Sequence, residues 1–343
     1  MSSCRLLTLL FFGLAAAGPV VGPSGRMTGY ARLGFGYDSN VFRYSAEDLR
    51  AFRLGEDPAR FPIRTADDLA VTLSTGLDYR CGGLGRDGSI GLRARLSQYA
   101  SNWDRSHGLV AVSTTQPLWP GGHTLVGMTW MPDYLIRYYP DPEREGYTAC
   151  RFAEYLPAVT IEQRLGSFTF GATYRWEVDD YLPPFDYYDT RAHRLGAAAA
   201  WRRARAFEVA VDYQYKLARA EGPVPDISYD EHGVEVRVAS RPRSHDRLAV
   251  EVGYGLGLRR FTTGNSGELD PSHAGRRDRI EHADLEGSYR FGAARLVAAY
   301  RFEWREVSSP YSGHIVDIKE YRRSCLDLGV VVGLSRLWEG GLR

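Results

Sequence analysis

The chain has 343 residues, 43 of them basic and 42 acidic, for a net charge of +1, so no global field directs it to nucleic acid or to an acidic partner. Its mean hydropathy is slightly polar at −0.34, which excludes a helical membrane protein. The enrichment is in Tyr (22) and Gly (37), with 7 Trp, amphipathic rings and small residues that suit strands crossing a membrane interface.

The N-terminal stretch "MSSCRLLTLLFFGLAAAGPVVG" carries one basic residue, Arg5, then an apolar run from Leu6 to Ala17 ending in Ala15, Ala16 and Ala17. That run is too short to span a bilayer as a helix and ends in an A-x-A-like cleavage signal. It predicts a secretory signal peptide over 1–17 and one domain over 18–343. A buried N-terminal helix would find no helical partner downstream. Cys4 precedes the apolar run, which argues against a lipid-modified N-terminus. Cys81, Cys150 and Cys325 are far apart and odd in number, so no disulfide framework follows.

Beyond the leader the sequence alternates with a period of two, the signature of strands with two unlike faces. "RMTGYARLGFGYD" places Met27, Ala31, Leu33, Phe35 and Tyr37 on one face, and "LAVTLSTGLDYR" does the same with Leu69, Val71, Leu73, Leu77 and Tyr79. "SIGLRARLSQY" sets Ile90, Leu92, Ala94 and Leu96 against Arg93 and Arg95, and "HTLVGMTWMPDYLIRYY" shows Val126, Met128, Trp130, Tyr134, Ile136 and Tyr138. In "SFTFGATYRWEVDD", Phe168, Phe170, Ala172, Tyr174 and Trp176 oppose Arg175, Glu177 and Asp179. In "AFEVAVDYQYKLARA", Phe207, Val209, Val211, Tyr213, Tyr215 and Leu217 oppose Glu208, Asp212, Gln214 and Lys216. The pattern returns at 247–261, 294–306 and 325–338, with weaker segments near 107–119, 149–165, 191–203, 229–241 and 279–291. About fourteen strands are expected, longer than the roughly 5 to 6 residues of an ordinary soluble strand.

The joins alternate in length. Short ones with Gly, Pro and Ser fall at "CGGLGRDG", "PGG", "LGS", "RRAR", "RPRSH" and "FGA", the chemistry of tight turns. Longer polar joins fall at 44–66, 140–148, 180–190, 220–228, 262–278 and 307–320, and only "NWDRS" is short where a long one is due. This rhythm is that of an all-β, antiparallel up-and-down transmembrane barrel of the outer membrane, with both termini on the side of the short turns. A secreted β-sandwich would have shorter strands and two facing apolar sheets, and a β-helix would show a fixed repeat. Outer-membrane lipid and the barrel assembly machinery are then the expected partners, while the oligomeric state is not fixed by these signals. The last strand ends near Leu337 and Trp338, and "EGGLR" follows where a terminal aromatic is usual.

With the apolar face toward lipid, the other parity lines a polar lumen. Arg93, Arg95, Arg175, Glu177, Asp212, Lys216, Arg237, Glu251, Arg259, Glu286, Arg301 and Glu303 are the leading candidates, with Arg32, Asp78, Asp179, Arg194, Glu235, Arg247, Asp284, Arg290 and Asp327 on the same face. Interleaved signs fit cross-strand ion pairs that brace a narrow lumen, or a path for a charged or sugar-like solute. The join "DDYLPPFDYYDT" gathers Tyr181, Phe185, Tyr187 and Tyr188 beside carboxylates. Such rings can stack on a glycan, or simply pack the loop. Trp130, Tyr134, Tyr138, Trp176, Trp304 and Trp338 read as interface girdle residues. The eight histidines are dispersed, without metal-site spacing. His282 shares an inward face with Asp284, but no serine partner is evident, so neither an enzyme nor a cofactor is expected.

"GYDSNVFR", Gly36 to Arg43, at the outer end of the first strand resembles the start of outer-membrane β-barrel porins encoded with exopolysaccharide synthesis genes. The match covers eight residues plus the strand rhythm. In it Asp38, Ser39 and Asn40 are turn formers able to satisfy backbone groups as the strand leaves the membrane. The resemblance implies a pore or channel associated with surface-polysaccharide export or with passage of small polar solutes. A non-conducting structural or assembly barrel with a plugged lumen, similar to the surface-lipoprotein assembly modifiers, is the alternative, although their N-terminal helical repeat domain is absent.

Overall fold

The computed structural model describes residues 26–81, 88–203, 206–242, 247–311 and 319–334; the expected signal peptide, Trp338 and "EGGLR" lie outside them. Fourteen antiparallel strands close into one barrel. They are β1 Arg26–Asp38, β2 Asp68–Cys81, β3 Gly88–Tyr99, β4 His107–Trp119, β5 Gly122–Pro140, β6 Tyr147–Leu165 and β7 Phe168–Tyr181. The ring continues through β8 Thr190–Arg203, β9 Phe207–Ala220, β10 Tyr229–Ser240, β11 Leu248–Phe261, β12 Arg277–Phe291, β13 Ala294–Ser308 and β14 Tyr321–Gly333. Each strand pairs with its sequence neighbour, and β1 pairs with β14 in the register Leu33↔Val330 and Phe35↔Leu328. Closure leaves no strand edge, whose unpaired amides and carbonyls would each cost several kcal/mol in hydrocarbon.

The parity read from sequence is the one observed. Phe35, Val71, Val211, Val252, Leu285 and Leu328 are all exposed on the outer wall, Phe35 to 57%, whereas Lys216, Glu177 and Asp278 turn inward and are buried. An apolar outer belt on a closed barrel has lipid as its solvent. The protein therefore resides in the outer membrane and spans it with strands.

Short turns are made by glycines in the left-handed region, Gly121 at φ 75° and Gly292 at φ 59°, which a side chain would strain. Inside the barrel two glycines make room for rings. A Cβ at Gly76 would stand 2.4 Å from the Tyr30 ring and one at Gly255 2.1 Å from that of His282, so both rings lie flat on the sheet.

Two expectations are corrected. The strand β5 has irregular register between Met131 and Tyr134 and again between Leu135 and Arg137, and each irregularity resets the alternation. Tyr134, between the two shifts, therefore lies against Arg105 and not in the girdle; beyond the second shift the parity is restored, and Tyr138 packs on the cluster described next. Trp130 and Trp176 do lie exposed on the outer wall. The second correction concerns the first long join, which is not an external loop: it folds into the barrel mouth.

Candidate functional site in the barrel lumen

The join 39–66 enters the mouth because its start is pinned. Asp38 takes bonds from the Arg323 guanidinium at 2.6 to 3.1 Å, and Ser39 Oγ accepts from Ser324 N at 2.8 Å. Asn40 Nδ2 donates to Tyr44 O (2.7 Å) and Arg322 O (3.1 Å) while its Oδ1 accepts from Tyr44 N (2.8 Å). The turn formers of "GYDSNVFR" thus fasten the inturned segment to β14. Helix α1, Ala46–Leu54, follows, started by Ser45, whose side chain accepts from Asp48 N, and stopped by Gly55 at φ 68°.

Apolar side chains hold the segment inside. Val41, Phe42, Tyr44 and Phe61 are buried with Tyr99 of β3 and Leu135 of β5, and Tyr44 meets Phe61 edge-on at 5.4 Å. Arg43 reaches Glu303 of β13 at 3.3 Å, while its carbonyl accepts from Arg137 of β5 at 2.7 Å. Strands β13 and β5 lie six steps apart on a ring of fourteen, so this residue bridges nearly opposite walls. Lys319, just before β14, also crosses, with Nζ 3.4 Å from Tyr139 Oη on β5. Burial lowers the pKa of Lys319 and raises that of Asp48, the latter opposed by Arg60 and Arg137.

Beside and below the inturned segment the inner wall carries charge. Glu177 accepts from Lys216 at 2.5 Å and from Arg194 at 2.8 Å. Arg259 bonds Glu231 at 2.7 Å, Arg237 bonds Asp212 at 2.7 Å, and Arg301 bonds Asp284 at 2.5 and 3.0 Å. Arg93 stands 3.8 Å from Asp78, and Arg32 pairs with Asp327. Of the twelve leading lumen candidates, Arg95, Arg175, Glu251 and Glu286 have no ion-pair partner among the described residues, nor do Asp179, Arg247 and Arg290 of the same face; Glu251 and Glu286 are direct cross-strand neighbours. A cavity of about 480 Å³ is lined by Arg95, Arg237, Glu251, Glu286 and Arg301, and one of about 380 Å³ toward the short turns by Arg202, Glu208, Glu251, Glu286 and Arg295.

Other charged residues escaped the sequence reading. Arg43, Glu231, Arg305 and Arg323 sit at strand ends or in the join, where alternation fades, and Asp38, read as a turn former, is in addition the partner of Arg323. Glu154 on β6 brings a carboxylate within 4.8 Å of those of Glu177 and Asp179. His282 Nε2 is 3.5 Å from Asp284 Oδ2, and no hydroxyl among the described residues bonds to that ring.

The aromatic join after β7 packs on itself. Phe185 is fully buried, 6.2 Å from both Tyr139 and Tyr188, and Tyr181, Tyr187 and Tyr188 are half-buried. The join 262–276 is held by His273, whose Nδ1 is 2.8 Å from Asp270 Oδ1 and whose ring lies 5.1 Å from Phe261. Burial lowers the His273 pKa, with Arg276 adding to the shift and Asp270 opposing it. A lowered folded pKa means the neutral form stabilises this join above the unfolded value of about 6.5, and that this stability is lost as pH falls through it. Protection of the amides at 262–276, taken against their intrinsic exchange rate at each pH, is expected to fall from pH 7.5 to pH 5 in hydrogen-exchange mass spectrometry, and His273→Gln should flatten that dependence.

No protein-family model and no curated protein matches the chain. Among solved structures it is similar to an anion-selective porin from Comamonas acidovorans, at 8% identity and a TM-score of 0.48 over 90% of this chain and 99% of that one. It is similar also to the outer membrane channel DcaP of Acinetobacter baumannii, at 14% identity and a TM-score of 0.49 over 92% and 99%. A bacterial polysaccharide outer membrane secretin aligns at 8% identity and a TM-score of 0.40 over 88% and 97%. Identities this low transfer neither solute nor partner.

Proposed function

We propose that this barrel is a narrow outer-membrane channel for small polar solutes, constricted at its outer mouth by residues 39–66. The observation that carries the reading is the inner wall: charge along its height beside cavities of about 480 and 380 Å³, with apolar packing concentrated in the inturned segment. Most lumen charges neutralise one another, and the predicted lumen residues without partners among the described residues are four arginines and three carboxylates, so charge selectivity is weak.

Surface-polysaccharide export is the finer setting suggested by the resemblance of Gly36 to Arg43. A linear glycan would need the inturned segment to swing aside, and would meet Tyr187 and Tyr188 sooner than the covered Phe185. Tyr187→Ala with Tyr188→Ala should leave the barrel folded and lower polysaccharide export; unchanged export would return those rings to loop packing alone. A plugged, non-conducting barrel is the second reading, favoured by the apolar cluster around Tyr44 and Leu135.

Liposome swelling tests the channel reading. Vesicles carrying the protein should swell in monosaccharides and progressively less in larger sugars. No swelling in any sugar would favour the plugged barrel.

A further inference from the structure

Not all of the charge lies inside. On β11 the outer face runs Leu248, Val250, Val252, Tyr254, Leu256, Leu258 and then Arg260. Ten residue steps from Leu248 to Leu258, at ~3.3 Å each and a tilt of ~40°, cover about 25 Å, the height of a barrel's apolar band. Arg260 is therefore the first outward side chain beyond the band at its outer edge. On β12, Arg277 is its direct cross-strand partner, and on β14 Arg322 continues the face of Leu326, Leu328 and Val330, opposite Trp304.

Like charges placed directly opposite on one sheet face repel. A second such pair, Arg191 and Arg219 on β8 and β9, shows how the fold relieves this with its own carboxylates. Arg191 bonds Glu221 at 2.5 Å and Arg219 bonds Asp230 at 3.1 Å. Arg260, Arg277 and Arg322 have no carboxylate within ion-pair distance among the described residues. The nearby acids are engaged elsewhere. Asp230, directly opposite Arg260 on β10, turns its carboxylate to Arg219, Glu281 bonds Arg279 at 2.6 Å, Glu306 is 3.9 Å from Arg279, and Glu320 accepts from Val307 N at 3.1 Å.

We propose that Arg260 and Arg277, flanked by Arg322, form an exterior binding site for the phosphate groups of an outer-leaflet lipid headgroup. Guanidinium forks match phosphate oxygens in pairs, and an anion between Arg260 and Arg277 removes their repulsion. The parity selects a lipid over a lumen solute, because these side chains share the face of the lipid-covered Leu258 and Leu326. The depth selects the headgroup, because Arg260 follows Leu258 at the end of the apolar run of β11 and Arg279, opposite Leu258, marks the start of the charged rim. The inference is independent of whether the lumen conducts.

The test is native mass spectrometry of the folded chain in micelles doped with a bisphosphorylated glycolipid or with an uncharged lipid of equal chain length. The wild type should retain the phosphorylated lipid and not the uncharged one. R260Q with R277Q should cut retention roughly tenfold or more, while R191Q, whose partner is Glu221, should leave it nearly unchanged. Arg260→Gln alone removes the like-charge pair without endangering folding and should still lower retention by roughly fivefold. Equal retention by the wild type and these Arg260 variants would overturn the site, as would an equal loss in the Arg191 control. Binding of inorganic phosphate as tightly as the lipid would assign the arginines to a soluble anion and overturn the lipid site.

Discussion

Replacing Glu177 with Gln is expected to destabilise the barrel by about 3 to 5 kcal/mol, the cost of breaking a buried ion pair from one side. Glu177 is 5% exposed and is the acceptor for both Lys216 at 2.5 Å and Arg194 at 2.8 Å. Without its charge, the Lys216 ammonium stays buried beside the Tyr229 ring, 5.2 Å away, and its nearest relief is Glu154 or Asp179. Adding Lys216→Met removes the orphaned cation and should recover much of the loss. Urea titration of the folded protein in vesicles measures both, and a loss under about 1 kcal/mol for Glu177→Gln would show that the lumen is wet enough there to solvate the pair as a surface one.

Arginine at Val211 should cost roughly 2 to 4 kcal/mol, the depth-dependent cost of a cation on the lipid face of a barrel near mid-membrane. Its neighbour Asp212 faces the other solvent and bonds Arg237 at 2.7 Å. Arginine at Asp212 therefore loses an ion pair in a polar lumen and places two like charges together, with Glu235 directly opposite as relief, a milder effect read in pairing and ion selectivity. Folding free energies of the two variants in one lipid decide the matter. Equal costs, or a larger cost at Asp212, would mean that the charged face meets bulk water and the apolar face a dry core.

Much of this architecture could be read from sequence because a period of two has only one free choice, which face meets lipid. Strand length, loop rhythm and ring placement fixed that choice, so Val211 and Asp212 fall where expected. The misses have physical causes. In β5 the run Met131, Pro132, Asp133 interrupts pairing. Proline cannot donate to the ladder, and that signal could have warned that Tyr134 leaves the outer face. Residues 39–66 read as an external loop by length alone, yet Val41, Phe42, Tyr44 and Phe61 are an apolar load that a solvated loop does not need. Arg43 and Arg323 matter because of the fold of that segment, which no local periodicity encodes.

The inturned segment is also the point on which the function turns, since it bridges from Glu303 to Arg137 across the mouth. The most direct test is single-channel current in planar bilayers for the wild type and for a variant in which residues 41–64 are replaced by a short Gly and Ser turn. A water-filled lumen throttled by this segment predicts a small conductance for the wild type and one several times larger for the variant. Equal conductances, or silence from both folded proteins, would contradict it.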